Sequence, residues 1–304
     1  MTSTTHVHTE INTQPDCWRR AAELALTSAT HLPRAGERVA VVGCGTSWFM
    51  AQAYATLREH RGQGETDAFA ASEFPAGRRY DRIVAITRSG TTSEVLDLLR
   101  DTSPHTPAVA LTADAATPIA DLTSDLVVLD FADEKSVVQT RFATSVLALL
   151  RSHLGDEIDT ARRQAEEILA GPADETLTRH RRFVYLGQGW TVGLAHEGAL
   201  KMREASLAWA ESYPAMDYRH GPISLADSDG VVWFVGGSAP VGLIDEVRAT
   251  GAHVVADRLD PLADLVRAQR LAVAAGLAKG LDPDRPRNLN RSVVLEDTAP
   301  APRP

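Results

Sequence analysis

Several features are scarce or missing in this sequence, and each excludes a class of protein. It has only 2 cysteines, Cys17 and Cys44, and no CxxC pair, so a disulfide framework is not expected. No apolar run approaches the roughly 18 residues that a membrane-spanning helix needs. The polar N-terminus also lacks the apolar core of a signal peptide. We therefore expect a protein of the reducing cytoplasm without a membrane segment.

Basic runs and ligand-binding signatures are missing as well. The formal charge is −9 at pH 7, and no helix-turn-helix-like stretch offsets it, which argues against nucleic-acid binding. His6 and His8 have no partners at zinc-site spacing, so we expect no metal. The GCGTSW stretch lacks the third glycine of a dinucleotide fingerprint and there is no Walker loop, so we expect no cofactor. A small anionic substrate stays possible, because backbone amides and hydroxyls at a helix start bind phosphate.

A repeated strand–turn–helix pattern is the main feature that is present. β-branched runs at residues 38–42 and 82–86 each end in a polar turn before a helical stretch, and residues 183–186 and 231–235 repeat the pattern. Such repeats form parallel sheets covered on both faces. We predict an α/β fold of two tandem doubly wound parallel-sheet domains. The predicted segments are a first domain at residues 10–155, a connecting helix at 156–179, a second domain at 180–297 and a disordered tail at 298–304.

Two further local predictions concern the ends of elements. The helix that follows the first strand is predicted at residues 48–60, with Thr46 or Ser47 as its N-cap. A last short strand is predicted at residues 292–295, after a proline-broken loop.

The stretch TRSGTTSE, which begins at Thr87, is the most informative local motif. Five hydroxyls surround Gly90 at a strand-to-helix junction, where backbone N–H groups and the helix dipole favour an anion. Ser47, at the end of the first strand, should lie beside this loop, because ligands collect at strand carboxyl ends. The alternative is a polar loop whose hydroxyls only cap the helix. The five hydroxyls belong to Thr87, Ser89, Thr91, Thr92 and Ser93.

A second group of polar residues follows the GQG turn of the second repeat. Glu197, Lys201 and Glu204 fall at i, i+4 and i+7, so a helix carries all three on one face. His220 follows within about 16 residues, just before a Gly-Pro turn. A carboxylate, an amine and an imidazole together are suited to proton transfer on a sugar. The alternative is an ordinary Glu–Lys pair on a helix surface.

Taken together, the motifs resemble a known family. CGTS, ASEF, SGTT, EGALKxxE, AExY, HGP and DxxRPRNLxxSVxxE are similar to the sugar isomerase (SIS) domains, and specifically to the tandem isomerase half of glucosamine-6-phosphate synthase. The resemblance runs from about residue 10 to residue 296. It includes no counterpart of the glutaminase domain of that synthase.

This resemblance implies a hexose or hexosamine 6-phosphate as substrate and a role for each matching residue. Glu204 matches the carboxylate that moves a proton between C1 and C2. His220 matches the ring-opening histidine, which the neighbouring subunit supplies in the synthase, so a homodimer with a shared site is implied. Glu197 and Lys201 match residues that line the pocket. The positions that match the phosphate-binding residues are Ser47, Thr87, Ser89 and Thr92.

The departures from the family pattern concern arginines. Arg291 stands where the synthase has the lysine that forms an imine with the ketose, and arginine cannot act as an amine nucleophile. The imine step would therefore need Lys201 instead. Arg88 replaces a glutamine of the phosphate loop, and Arg141 replaces a lysine of the Ser-Thr-Lys segment. We expect these arginines to bind phosphate or a carboxylate.

The predicted function is a phosphosugar aldose–ketose isomerase, with amino-sugar 6-phosphates (isomerase/deaminase) as one possible substrate class. One alternative is a deglycase that cleaves a sugar-phosphate–amine adduct, in which Arg88, Arg141 and Arg291 recognise an amino-acid carboxylate. Another is a non-catalytic sugar-phosphate sensor. The missing ammonia supply and the added arginines argue against glucosamine-6-phosphate synthesis itself.

Overall fold

The computed structural model describes residues 5–75, 77–102 and 105–295, so the predicted tail at 298–304 lies outside the described residues. The N-terminal half begins with two helices and continues with a mixture of strands and helices. Its elements are α1 His6–Asn12, α2 Gln14–Thr27, β1 Val39–Gly43, α3 Thr46–His60, β2 Thr66–Ala70, β3 Arg82–Ile86, α4 Ser93–Thr102, β4 Ala108–Thr112, β5 Asp125–Val128, α5 Arg141–His153 and α6 Asp159–Ala170. The elements of the C-terminal half are β6 Arg182–Gly187, α7 Thr191–Ser206, β7 Trp209–Pro214, β8 Gly230–Phe234, α8 Leu243–Ala249, β9 His253–Val255 and α9 Pro261–Ala278.

The strands form two separate parallel sheets. The first has the order β2-β1-β3-β4-β5 and the second the order β7-β6-β8-β9. All pairings are parallel; for example, Val42 of β1 pairs with Ala85 of β3. The strand order reverses beside β1 in the first sheet and beside β6 in the second, which is the position where α/β sheets bind ligands. The predicted α/β class with two tandem parallel sheets is confirmed, whereas the exact domain boundaries stay predictions.

The composition of the strands follows from their burial on both faces. All five residues of β1 are buried. Val39 and Val41 belong to one apolar cluster, while Ala40 and Val42 belong to a second cluster on the other face of the sheet. A strand that packs on both faces needs an unbroken apolar run, and this is why β1 and β3 were recognisable in the sequence.

One apolar cluster is shared by the two sheets. It contains Val41 and Val84 from the first sheet together with Tyr185 and Trp233 from the second. Helices α3 and α7 pack against each other in this shared core. The approach is close at Gly193 of α7, where an added Cβ would lie 2.4 Å from the Phe49 carbonyl oxygen of α3. The start of α3, and with it the carboxyl end of β1, is therefore held next to α7.

The predicted N-cap of α3 is wrong. The helix begins at Thr46, and the residue before it is Gly45 with φ +53°. A glycine reaches this φ without a steric penalty, and the helix begins two residues before the predicted start at residue 48. Thr46 and Ser47 consequently lie in the first turn, so their hydroxyls do not cap the helix and can bind other groups.

The predicted strand at residues 292–295 is also absent from the structure, and β7 was not predicted. The backbone of residues 292–295 hydrogen-bonds to Ser93 at the start of α4, and the Ser292 hydroxyl to Ser89 and Thr91, rather than to a sheet. β7 has the sequence WAESYP, whose polar residues gave no strand signal. It is an edge strand that pairs only with β6 among the described strands, and an edge position tolerates this composition.

Candidate active site

The hydroxyl loop, defined as residues 87–93, connects β3 to α4 at the carboxyl edge of the first sheet. Gly90 has φ +62°, and a Cβ there would lie 2.0 Å from the Thr117 hydroxyl oxygen, so only glycine fits. Thr87 is buried, and its Oγ1 has no hydrogen-bond partner among the described residues. Ser89, Thr91 and the remaining hydroxyls are only partly buried. The loop thus presents several hydroxyls in a fixed backbone conformation.

Ser47 lies at the same edge of the sheet, as predicted from the parallel strands. It is buried in the first turn of α3, directly after β1. Because Val42 of β1 is in register with Ala85 of β3, the two strands end side by side. The first turn of α3 and the hydroxyl loop therefore leave the sheet at adjacent positions.

The acidic–lysine cluster, defined as Glu197, Lys201 and Glu204, lies on one face of α7. The Lys201 Nζ atom is 3.3 Å from Glu197 Oε1 and 2.6 Å from Glu204 Oε2. Glu197 and Lys201 are fully buried, while the Glu204 side chain keeps 17% of its exposure. Lys201 Nζ also donates a hydrogen bond of 3.1 Å to Thr46 Oγ1 at the start of α3. Lys201 thus connects the cluster to the edge of the first sheet.

Burial and charge shift the pKa values in this cluster. Burial raises the pKa of Glu197 to about 7, because the attraction of Lys201 only partly compensates for the loss of water and Glu204 adds repulsion. Burial opposes the charged form of Lys201, but Glu197 and Glu204 more than offset this effect, so the pKa of the ammonium is raised. Lys201 is therefore held as a cation between two carboxylates.

His220 follows β7 in the second half of the chain. It ends a short 3-10 turn, Asp217–His220, that follows β7, and its side chain is exposed. No hydrogen bond or ion pair between described residues joins it to Glu204. Its role in opening the sugar ring stays a prediction.

Arg88 and Arg291 contact protein groups. Arg88 is buried and forms an ion pair with Glu134, with Nη1 3.3 Å from Oε2. Its Nη2 donates to the Arg291 carbonyl oxygen at 2.9 Å. The Arg291 side chain forms an ion pair of 2.6 Å with Asp133 and donates to the Glu134 carbonyl oxygen. Both were predicted to bind substrate, and the structure directs most of their donors at the chain itself.

Arg141 has a similar arrangement at the start of α5. Its Nε donates to the Asp133 carbonyl oxygen at 3.0 Å, and its Nη1 donates to Thr13 Oγ1 at 3.0 Å. The expected recognition of phosphate or carboxylate by this side chain would therefore compete with existing hydrogen bonds.

Three residues of the site were not singled out from the sequence. Thr46 binds the Lys201 ammonium, Glu134 pairs with Arg88, and Ser292 Oγ lies 3.1 Å from Ser89 Oγ. Thr46 had been considered only as a helix cap. Glu134 gave no signal in the sequence, and Ser292 belongs to a family motif but received no role, because their partners lie 46 and 203 positions away along the chain.

Among the described residues, no helix is long and apolar enough to cross a membrane. No cluster of three or more histidine, cysteine, aspartate or glutamate side chains in the described ranges is arranged to hold a metal ion.

Comparison with known proteins gives the following relatives. No protein-family model matches the chain. It is 28% identical over 320 residues to the glutamine–fructose-6-phosphate aminotransferase (isomerizing) of Bacteroides thetaiotaomicron, which covers 86% of this chain and 52% of that protein. The aminotransferase of the same name from Pseudomonas aeruginosa is 29% identical over 360 residues, covering 94% of this chain and 58% of that protein. The chain thus spans about half the length of these relatives.

Solved structures show the same fold. The glucosamine-6-phosphate deaminase of Thermotoga maritima superposes with a TM-score of 0.77 at 23% identity, covering 96% of this chain and 100% of that one. The tagatose-6-phosphate ketose/aldose isomerase of Escherichia coli gives a TM-score of 0.75 at 20% identity, covering 97% and 98%. The predicted resemblance to a SIS-domain isomerase region, and the fold it implied, are confirmed.

Proposed function

We propose that the chain is a phosphosugar aldose–ketose isomerase that acts on a hexose or hexosamine 6-phosphate. The phosphate binds the hydroxyl loop and Ser47, and the open-chain sugar extends toward Glu204. The observation that carries the proposal is the position of Lys201 Nζ, 2.6 Å from Glu204 and 3.1 Å from Thr46, the residue next to Ser47. The proton-transfer group and the phosphate-binding edge are thus joined through one buried ammonium.

Glu204 is the base in this proposal. Its carboxylate is the one in the cluster that keeps contact with solvent. It removes the proton from C2 of the open-chain aldose and returns it to C1 through a cis-enediol, or through an enolamine when C2 carries nitrogen. Phosphate binding far from C1 and C2 supplies energy that positions these carbons against the base.

Lys201 orients Glu204 and does not attack the sugar. An amine must be neutral to form an imine, but the two carboxylates raise the pKa of Lys201 and keep it protonated. Arg291 stands where the family has its imine-forming lysine, and it cannot replace that amine. We therefore propose a proton transfer without a covalent sugar–lysine intermediate.

His220 opens the sugar ring from a neighbouring subunit in this proposal, so the functional unit is a homodimer with shared sites. The test mixes two inactive variants, Glu204→Gln and His220→Asn. Random reassociation should restore roughly one quarter of the wild-type activity, because half of the dimers are mixed and each has one intact site. No recovery after verified subunit exchange would contradict a shared site.

The central experiment screens hexose and hexosamine 6-phosphates for thermal stabilisation and then for turnover. Glu204→Gln should lose turnover by a factor of about 100 or more while it still binds the sugar phosphate. Glu167→Gln, an exposed glutamate of α6, is the matched control and should keep full activity. Full activity of Glu204→Gln would remove the mechanism.

The two alternatives are separated by further assays. The deglycase alternative depended on arginines that recognise a carboxylate, and the donors of Arg88, Arg141 and Arg291 are mostly engaged by protein groups, so this observation does not favour it. Release of an amine from glycated amino-acid 6-phosphates would support it nonetheless. A sensor would bind a hexose phosphate without exchanging its C2 proton in deuterated water, which NMR detects.

A further inference from the structure

Arg88 lies inside the fold, where it has a fixed set of partners. Its side chain is 1% exposed and that of its counter-ion Glu134 is 0% exposed. Glu134 Oε1 in turn accepts hydrogen bonds from the Thr140 and Arg141 backbone N–H groups, at 2.5 and 2.8 Å. The Glu134 carboxylate thus accepts hydrogen bonds from the start of α5 and pairs with Arg88 at the same time, which fixes the position of the guanidinium.

Arg88 also donates to carbonyl oxygens of two other segments. Nη1 donates to the Ser136 carbonyl oxygen at 3.2 Å, and Nη2 donates to the Arg291 carbonyl oxygen at 2.9 Å. A planar guanidinium has enough donors in fixed directions to hold a carboxylate and two carbonyls together. Arg88 therefore links the buried interior to the backbone of residues 291–295, which we name the C-terminal segment.

The C-terminal segment lies on the hydroxyl loop and the start of α4. The Ser93 N–H donates to the Val293 carbonyl oxygen at 3.1 Å, and the Leu295 N–H donates to Ser93 Oγ at 2.9 Å. Ser292 lies between Arg291, which Arg88 holds, and Val293, which Ser93 holds, and its side chain faces the hydroxyl loop. Its Oγ lies 3.1 Å from Ser89 Oγ and 3.0 Å from Thr91 Oγ1.

We propose that Arg88 is a positioning residue that holds the C-terminal segment on the hydroxyl loop, so that Ser292 acts as an additional phosphate-binding residue. The identity of the bound group rests on the proposed function above, but the positioning by Arg88 does not. Arg88 itself does not bind the sugar phosphate.

Ser292 is expected to join a bound phosphate rather than to be displaced by it. Its backbone is fixed on both sides, by Arg88 through the Arg291 carbonyl and by Ser93 through the Val293 carbonyl. Leaving the loop would break both contacts, whereas turning the hydroxyl toward a ligand breaks neither. The residue is also partly exposed, so an anion that reaches Ser89 meets the Ser292 hydroxyl.

The first test uses Arg88→Lys, which keeps the positive charge beside Glu134 but cannot reach both Glu134 and the Arg291 carbonyl. Hydrogen–deuterium exchange of peptides covering the C-terminal segment should become about tenfold faster, as expected for the loss of one charge-assisted hydrogen bond. KM for the sugar phosphate should rise roughly tenfold with kcat within about twofold. Arg287→Lys, an exposed arginine without a described side-chain contact, is the control and should change neither value.

The second test uses Ser292→Ala with inorganic phosphate as the probe. Its dissociation constant should rise about three- to tenfold, while exchange in the C-terminal segment stays as in the wild type. Unchanged or tighter phosphate binding would overturn the role of Ser292. Unchanged exchange in Arg88→Lys would overturn the role of Arg88.

Two further measurements apply if Arg88→Lys does not fold or if no sugar phosphate is turned over. If Arg88→Lys does not fold, the double variant Arg88→Gln/Glu134→Gln removes both buried charges, and it should show the same faster exchange. Unchanged exchange in that variant would overturn the inference as well. If no sugar phosphate is turned over, the proposed function fails, but exchange and phosphate binding still decide this inference.

Discussion

Replacing Lys201 by methionine removes the only described cation within ion-pair distance of Glu197 while keeping a side chain of similar length. Glu197 is 1% exposed, and neither of its carboxylate oxygens has a well-directed hydrogen bond among the described residues. Without Lys201, an ionised Glu197 would be a buried charge with no compensation. Loss of one partner from such a pair costs about 3–5 kcal/mol of the free energy of unfolding.

The cost should depend on pH. The pKa of Glu197 in the folded chain is about 7, above the usual value of about 4.5 for glutamate, so the proton bound at low pH favours the folded state. That contribution is lost as the pH rises from about 4.5 through about 7. Without Lys201 the pKa of Glu197 rises further. The difference in stability between Lys201→Met and the wild type should therefore change little from pH 5.5 to about 7 and be larger by about 1 kcal/mol at pH 8.

Urea unfolding followed by tryptophan fluorescence at pH 5.5 and pH 8 measures the effect. The double variant Lys201→Met/Glu197→Gln should recover most of the loss at pH 8, because a neutral amide replaces the uncompensated carboxylate. Lys135→Met, which alters an exposed lysine, is the control and should unfold like the wild type. Equal stability of Lys201→Met and wild type at pH 8 would refute the reasoning.

Two further predictions concern packing and a second buried acid. Gly193→Ala should lower the free energy of unfolding by about 1–3 kcal/mol in thermal or urea melts, because the new Cβ meets the Phe49 carbonyl oxygen at 2.4 Å. Gly77→Ala adds a Cβ that meets nothing within 4 Å, so it should leave the melt unchanged. Equal melts of the two variants would contradict the close approach at Gly193. Burial raises the pKa of Asp264 from 3.8 to about 6, so its ionisation lowers stability as the pH rises through this range. Asp264→Asn keeps an amide oxygen that can accept from Trp233. It should therefore be more stable than wild type by about 1–3 kcal/mol at pH 8 and lose this advantage near pH 4. An advantage that persists at pH 4 would speak against ionisation as its cause.

The sequence was most informative where local pattern and burial agree. β1 and β3 are buried on both faces, so their apolar runs identified the parallel sheets directly. The spacing of Glu197, Lys201 and Glu204 placed them on one helical face, which the ion-pair distances support. In these cases each prediction depended on residues close together in the chain.

Predictions that depended on distant contacts were incomplete. Arg88 was expected at the substrate, but its partner Glu134 lies 46 positions away and could not be anticipated. α1 was not predicted, since its short sequence has little helical pattern; Asp284 accepts hydrogen bonds from its first two N–H groups, His6 and Val7, across the whole chain. Tertiary contacts stabilise such short helices, and a local sequence pattern carries no information about those contacts.

Because Tyr185 and Trp233 share an apolar cluster with the first sheet, we expect the two sheets to unfold together. An anion held beside Ser89 favours only the native state, so it should delay the melting of both sheets together. Trp233 stacks on Tyr185 in the second sheet, with ring centroids 5.8 Å apart. The melting transition that its fluorescence reports would then move to a higher temperature when an anion binds in the other half of the molecule.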